Sequence, residues 1–367
     1  MDDDRKNWPV SITVLAVLAV FYTLYFARSF LLPIVFALLF DFLLSPAVRA
    51  LVRWHVPVPL AAGIVLLALV GVGGLCVYDL SGPVQDWAEH APETLATAQS
   101  RLRRLLKPLQ RMTKTAEQVE SAAGGVAGGG TGTTKPTEVV VRGPSVVSRL
   151  FGSTQRFLAG LLEVMILLYF LLAAGDLFLQ KLIRGLPNVR DRNKAIEIAK
   201  ATEESISTYL LTTLTVNAIE GAVVAAALYA LGMPNPVLWG ALVILLEFIP
   251  YLGALSLVVI LTLGAVASFN DVGHALLIPV TFFTINLIQA NVVSPLLLGH
   301  RLALNPVALL VSLAFWFWIW GIPGGLLAVP LLATLKIFCD HIERLAPLGE
   351  FLGRRDVKRP RVLLRRS

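Results

Sequence analysis

Long apolar runs separated by polar stretches organise this chain. A helix rises 1.5 Å per residue, so about 20 apolar residues cross about 30 Å of hydrocarbon. Six runs read as spans on that measure: Val10 to Ala27, Phe30 to Val48, Pro59 to Leu80, Phe157 to Ala174, Thr208 to Leu231 and His274 to Leu298. Two more, Val237 to Ala267 and Val307 to Leu335, are about 30 residues each, or roughly 45 Å as one helix. That is too long for one crossing and too short for two. Each is broken near its middle, the first at Pro250-Tyr251-Leu252-Gly253 and the second at Gly321-Ile322-Pro323-Gly324-Gly325. Proline removes a helical N–H and glycine supplies a turn, so each run predicts two half-length helices meeting in a re-entrant hairpin. Backbone freed at that depth is tolerated only inside protein or beside a water-filled cavity. The plainer alternative is a kinked, tilted span. The fold class is therefore all-α, a polytopic membrane protein with six to eight transmembrane helices, two of them broken.

The pattern also divides the chain. Residues 1–80 form an N-terminal membrane region, 81–155 an extracytoplasmic helical segment, 156–338 a core with the broken helices, and 339–367 a basic tail. The second region carries heptads, with Leu95, Leu102, Leu109 and Ala116 in one register and Ala98, Leu105, Met112 and Val119 in the other. That seam suits packing on a neighbour, although Pro108 interrupts it, and with the small-residue faces it predicts a homo-oligomer. Gly124 to Gly132 reads as a flexible linker. Ahead of the fifth span, Ala195, Ile198, Ala199, Thr202, Ile206 and Tyr209 share one face of an amphipathic helix that runs into the span. Gly221, Ala222, Ala225 and Ala226, and likewise Gly71, Gly73 and Gly74, read as packing faces.

Composition agrees. The 367 residues are 56% hydrophobic and 15% charged, against about a quarter charged in soluble domains. The formal charge of +7 flanks apolar runs, which fits anionic headgroups rather than nucleic acid. Arg49 and Arg53, the cations from Lys181 to Lys200, and those from Arg344 to Arg366 fall on one side. The positive-inside rule makes that side cytoplasmic, together with the N-terminus, in a bacterial inner membrane. The leading Met1-Asp2-Asp3-Asp4-Arg5-Lys6 is not net positive and no A-x-A site follows the first run, so that run reads as a retained helix.

Little in the chain suggests catalysis. No zinc-protease spacing, nucleophile elbow or dinucleotide-binding glycine motif is present. Cys76 and Cys339 are far apart, the five histidines are scattered, and neither a metal nor a cofactor is implied. The informative residues are acids inside apolar runs: Asp41, Glu163, Glu220 and Glu247. A charge there costs roughly 2.5–3.5 kcal/mol on insertion scales, so it is buried against partners or lines a pathway. A pathway carboxylate can also lose and regain a proton, because desolvation disfavours its charged form. Glu247, three residues before Pro250, is the leading candidate, and Asp41, between Pro33 and Pro46, the next. Glu163 and Glu220 read as structural acids. Asn286, Gln289, Asn291 and Ser294, followed by Pro295 and Gly299, make a polar stretch in an apolar helix. Its amides serve either a polar solute or interhelical hydrogen bonds of about 1 kcal/mol each.

Three motifs make the chain resemble the autoinducer-2 exporter family. They are Leu246-Glu247-Phe248-Ile249-Pro250-Tyr251-Leu252-Gly253, the run from Asn291 through Pro295 and Gly299 to Asn305-Pro306, and Gly321 through Pro323 and Gly324 to Pro330-Leu331. Their order and spacing agree over nearly the whole membrane-embedded chain. Two positions depart from the pattern: Asp41 stands where a small or apolar residue is usual, and Ala254 where proline is frequent. The resemblance implies a secondary transporter and a homo-oligomer. Some members are described as autoinducer-2 exporters and others as sodium(lithium)/proton antiporters. The expected pathway residues are Glu247, Pro250, Gly253, Asn286, Gln289, Asn291, Pro295, Gly321, Gly324 and Asp41. The expected partners are a small polar solute or ion, membrane lipid and further copies of the chain. A membrane scaffold is the reading from another class, and mid-membrane breaks argue against it because a scaffold gains nothing from them.

Overall fold

A computed structural model describes residues 10–85, 87, 146–175, 189–298, 304–342 and 345–353. Among them the only strand-like pairing is one isolated bridge, between Leu304 and Gly353. The heptad seam, the Gly-rich linker, Gly299, Arg301 and the basic tail from Arg354 on lie outside the described residues.

The apolar runs become helices. The N-terminal region is α1 (Val10–Phe26), α2 (Arg28–Arg53) and α3 (Val58–Gln85), and α4 is Val146–Ala174. Ala37 and Val48 of α2, Ala61 and Val65 of α3, and Val164, Leu168 and Leu172 of α4 form one core. The amphipathic helix and the fifth span are one continuous helix, α5 (Val189–Ala230). Along it Thr202 and Ile206 are buried while Glu197, Lys200 and Glu204 are exposed, as the period of 3.6 predicts. An Arg49–Glu203 ion pair at 2.7 Å ties its first half to the end of α2.

The two broken runs are helical hairpins. The first is α6 (Pro236–Leu246) and α7 (Leu252–Ser268). Trp239, near the start of α6, lies 2.9 Å from where a Cβ on Gly264 would stand, near the end of α7. Gly253, at the other end, abuts the Leu246 carbonyl, so the arms are antiparallel. The second hairpin is α10 (Pro306–Trp320) and α11 (Ile322–His341). Ser312 Oγ donates to the Ala328 carbonyl at 3.2 Å and Gly324 abuts the Trp316 carbonyl, again antiparallel. Between the hairpins run α8 (Val272–Ile288), a π turn (Gln289–Val293) and α9 (Ser294–Leu298), and a short α12 (Ala346–Leu352) closes the described chain.

Among the described residues, six helical stretches are long and apolar enough to cross a bilayer: α2, α3, Phe157–Ala174 of α4, Arg192–Ala230 of α5, Val272–Leu297, and α11. The expected first span is a helix of 17 residues, within one residue of its apolar run. The arm lengths differ from the sequence reading. The arms of the hairpins are unequal rather than half-length: α6 has 11 residues and α7 has 17, α10 has 15 and α11 has 20. The extra turns of α11 run past the apolar segment, where Lys336 and Asp340 pair at 2.5 Å across one turn.

Around these helices the outer surface is apolar. Leu67, Leu75, Val77, Leu296 and Trp318 are all more than two-thirds exposed, the pattern of a chain solvated by lipid rather than water. The main core gathers Val224 and Leu228 of α5, Trp239 and Val243 of α6, Leu257 and Leu261 of α7, and Ile278 and Phe282 of α8. The close approach of α5 and α6 rests on paired glycines. A Cβ on Gly221 would stand 2.6 Å from the Gly240 carbonyl oxygen, and one on Gly240 2.5 Å from that of Gly221. Gly221 thus meets its reading as a packing residue, whereas Ala222 and Ala226 point outward. Gly71, Gly73 and Gly74 of α3 are exposed, with open space where each Cβ would go.

Candidate transport site

The site grows from the break after α6. Asn235 enters that helix with φ +52 and Pro236 opens it, where a missing N–H costs nothing. The helix stops after Leu246 because Pro250 cannot donate to the carbonyl four residues back. The Leu252 N–H instead reaches the Pro250 carbonyl at 2.7 Å, with Tyr251 between them at φ +63 and ψ −47. This is the rarer γ-turn with positive φ, a strained conformation for a residue with a Cβ. Gly253 then donates to the Ile249 carbonyl at 2.9 Å, and its missing side chain lets α7 start against the end of α6. The strained residue stands between Pro250 and Gly253.

Glu247 leaves the last turn of α6 and meets α8. Asn286 Nδ2 donates to Glu247 Oε1 at 3.0 Å and to Glu220 Oε1, from α5, at 3.0 Å. One amide therefore uses both its N–H groups on two carboxyl groups. Glu220 is 3% exposed, and its second oxygen, Oε2, is buried without a hydrogen-bond partner among the described residues. One turn earlier on α5, buried Asn217 donates to the Ile244 carbonyl at 3.5 Å, within the last turn of α6, where the break leaves carbonyls short of helical donors.

Just beyond Asn286 the helix widens. Pro295 has no N–H for the Asn291 carbonyl, and its ring crowds that position. The Ser294 N–H instead reaches back five residues to the Gln289 carbonyl, which makes the π turn. Gln289 is half-buried there. Asn291 is exposed and donates to the Leu287 carbonyl of its own helix at 2.8 Å, so the structure does not bring its side chain to the carboxyl pair. Pro295 is exposed as well, and its bearing on the site is through the π turn.

The second break lies against the first. Gly321, at φ +66 and ψ −144, occupies backbone space open essentially to glycine alone and reverses the chain. Ile249 of the first break packs with Leu313 and Ala328 of the second hairpin, and its Cγ2 is 3.4 Å from where a Cβ on Gly325 would stand. Trp320 Nε1 donates to the Leu24 carbonyl at 3.0 Å, which holds the second tip on α1.

Asp41 is half-buried on α2, where its carbonyl accepts the Ser45 hydroxyl at 2.6 Å. Glu163 is exposed on α4. Sequence reasoning classed Glu220 with Glu163 as structural, and the structure separates them. The available signal was Asn217 three residues before Glu220, two polar groups on one face of an apolar span. Among the described residues no three His, Cys, Asp or Glu side chains converge as a metal site would require.

Comparison with known proteins adds the following. A family model described as an AI-2E family transporter matches residues 14–344. The chain is 27% identical over 316 residues to the AI-2 transport protein TqsA of Escherichia coli (strain K12), covering 86% of this chain and 87% of that protein. A putative transport protein of Haemophilus influenzae is 22% identical over 345 residues, 93% of this chain and 94% of its own length. A putative transport protein of Mycobacterium tuberculosis is 25% identical over 356 residues, 95% of this chain and 92% of its own length.

Proposed function

Because the chain belongs to the AI-2E transporter family, we propose that it is a secondary transporter that exports a small polar solute between its two hairpin breaks. The observation that carries this reading is Glu247 on the strained tip of the first hairpin, bonded through Asn286 to Glu220 and two residues before Ile249, which packs on the second hairpin. Helix ends that stop inside the membrane present backbone dipoles to a solute, and few other arrangements justify them there. A relative named for AI-2 transport makes autoinducer-2 the first solute to test. Proton coupling follows from the carboxyl pair. The same pair also favours a second reading, exchange of a monovalent cation for protons.

The test is purified protein in proteoliposomes, with flux of autoinducer-2 and of sodium followed with and without a pH gradient. Solute flux above protein-free vesicles, accelerated by the gradient, is the expected result. Sodium flux alone moves the assignment to the antiporter, and flux of neither solute removes the transport reading for both.

Orientation and assembly belong to the same proposal. Both chain ends are cytoplasmic, and each hairpin returns to the side it enters from, which puts Asn270 outside and Arg301 inside with the other cations. The chain forms a homo-oligomer through an outward face that includes α3, whose open Gly71, Gly73 and Gly74 admit close approach of another helix. Cysteines check both points. Asn270→Cys, in protein lacking Cys76 and Cys339, is expected to react with an impermeant thiol reagent on intact cells, and Arg301→Cys is not. The reverse pattern would sink the hairpin topology. In the otherwise native protein, Cys76 is exposed on α3, so a bismaleimide should link copies through it. Monomers alone after cross-linking, and alone by native mass spectrometry, would remove the oligomer.

A further inference from the structure

Glu220 is the group that the sequence reading left without a task, and its surroundings are unusual. It is buried midway along the apolar half of α5, it shares the Asn286 amide with Glu247, and its Oε2 has no partner among the described residues. A buried acceptor without a donor is costly, and an ionised one far more so. The amide has two N–H groups, and each already serves one carboxyl oxygen. Nothing else described there offers compensating charge. On α5 the flanking titratable groups are Tyr209 and Tyr229, roughly 16 and 14 Å away along the axis. Apart from Glu247 and Tyr251 at the break, α6 and α7 have none, and α8 has only His274, roughly 18 Å from Asn286 along its axis and bonded to the Leu231 carbonyl. The helices packed elsewhere on α5 are α2, with Asp41, Arg49 and, at its two ends, Arg28 and Arg53, and α11, with Lys336, Asp340 and, at its end, His341. Arg49 is committed to Glu203 and Lys336 to Asp340.

We propose that Glu220 and Glu247 together form a one-proton exchange site, with Asn286 as its bridge and Glu220 as essential to coupling as Glu247. Resting on the transporter reading above, this names the coupling ion and the second residue that carries it. With one proton the pair holds a single negative charge, and the amide satisfies one oxygen of each member. The proton sits as a carboxylic O–H, and on release it passes to water when the bridge opens and the solute takes its place. No bond other than O–H is made or broken. Two ionised carboxylates on one buried amide are the arrangement that like-charge repulsion excludes, as in other carboxyl pairs that share a proton.

Glutamine imitates the protonated member, so Glu220→Gln and Glu247→Gln each lock the pair at the charge of its proton-loaded state. Infrared spectroscopy of the membrane-reconstituted full chain reads this directly, through the carbonyl stretch of a protonated carboxylic acid. The wild type should show a band that disappears at high pH. Each single variant should lack it entirely, and the double variant should lose nothing more. In parallel, solute flux should change about tenfold per pH unit on the limb where one proton is exchanged, and should be flat in each single variant. Survival of the band in either single variant, or loss in two separate portions, overturns the shared site and leaves Glu220 a structural acid. Asn286→Gln, which keeps an amide, checks folding independently. Should the band behave as expected while no solute moves, the proton site stands and the assigned solute fails.

Discussion

Gly324→Ala is expected to lower the thermal midpoint clearly, whereas Gly71→Ala leaves it unchanged or slightly raised. Both glycines lie in helices, where alanine is intrinsically better by about 1 kcal/mol. At Gly71 the added methyl meets open space, so that preference is free to act. At Gly324 the methyl would run into the Trp316 carbonyl and stand 3.0 Å from the Trp320 Cβ. Neither atom can step aside by a rotamer change, so α10 and α11 must part. Parting them strains the bond from Ser312 Oγ to the Ala328 carbonyl and the contact of Ile249 with the second hairpin. Overpacking of this kind costs about 1–3 kcal/mol, and this site lies at the upper end because backbone meets backbone. The check is the midpoint of detergent-solubilised protein, followed by size-exclusion fluorescence. A shift of roughly 2–4 °C per kcal/mol sets the scale, and a Gly324→Ala protein as stable as wild type would mean the hairpin arms are not in contact there.

Asn286→Leu should be the most damaging single change at the site. Leucine is close to asparagine in volume, so packing alone predicts little. What disappears is the donor shared by Glu220 Oε1 and Glu247 Oε1, each at 3.0 Å. Two buried carboxyl groups then face each other unbridged. Stranding a buried charge in this way costs about 3–5 kcal/mol, a large part of the stability of an ordinary domain. The cause can be separated from a packing fault. Adding Glu220→Gln to Asn286→Leu removes one of the two acids and supplies an amide, so it should recover part of the loss. A double-mutant cycle on thermal midpoints measures that recovery. If the two changes are simply additive, the amide and the carboxyl groups are not coupled.

Much of this architecture was legible from residue type and spacing. Apolar runs of bilayer length predicted the helices, and proline with glycine inside two overlong runs predicted where the chain turns back. Those features are local. A missing N–H at Pro250 or a backbone conformation open only at Gly321 acts through the nearest few residues, whatever the rest of the chain does. The amphipathic first half of α5 was legible for the same reason, since a helical period depends on neighbours three and four residues apart. The lengths of the hairpin arms were less so. A helix such as α11 continues past its apolar segment once a local ion pair supports the extra turns.

The candidate site divides along that line. By itself the sequence determined that Glu247 stands at a break, that Asn286 interrupts an apolar helix, and that Glu220 is an acid inside a span. Only the tertiary structure decided that these three meet, and that Asn291 bonds to a carbonyl of its own helix instead. Asn286 is 66 residues from Glu220 and 39 from Glu247, on three different helices. Which side chains face one another there depends on how closely α5 and α6 approach and how each is rotated. That is settled by the Gly221–Gly240 contact and by the packing of Trp239, Leu257 and Phe282, interactions between distant segments that leave no period or motif in any one of them.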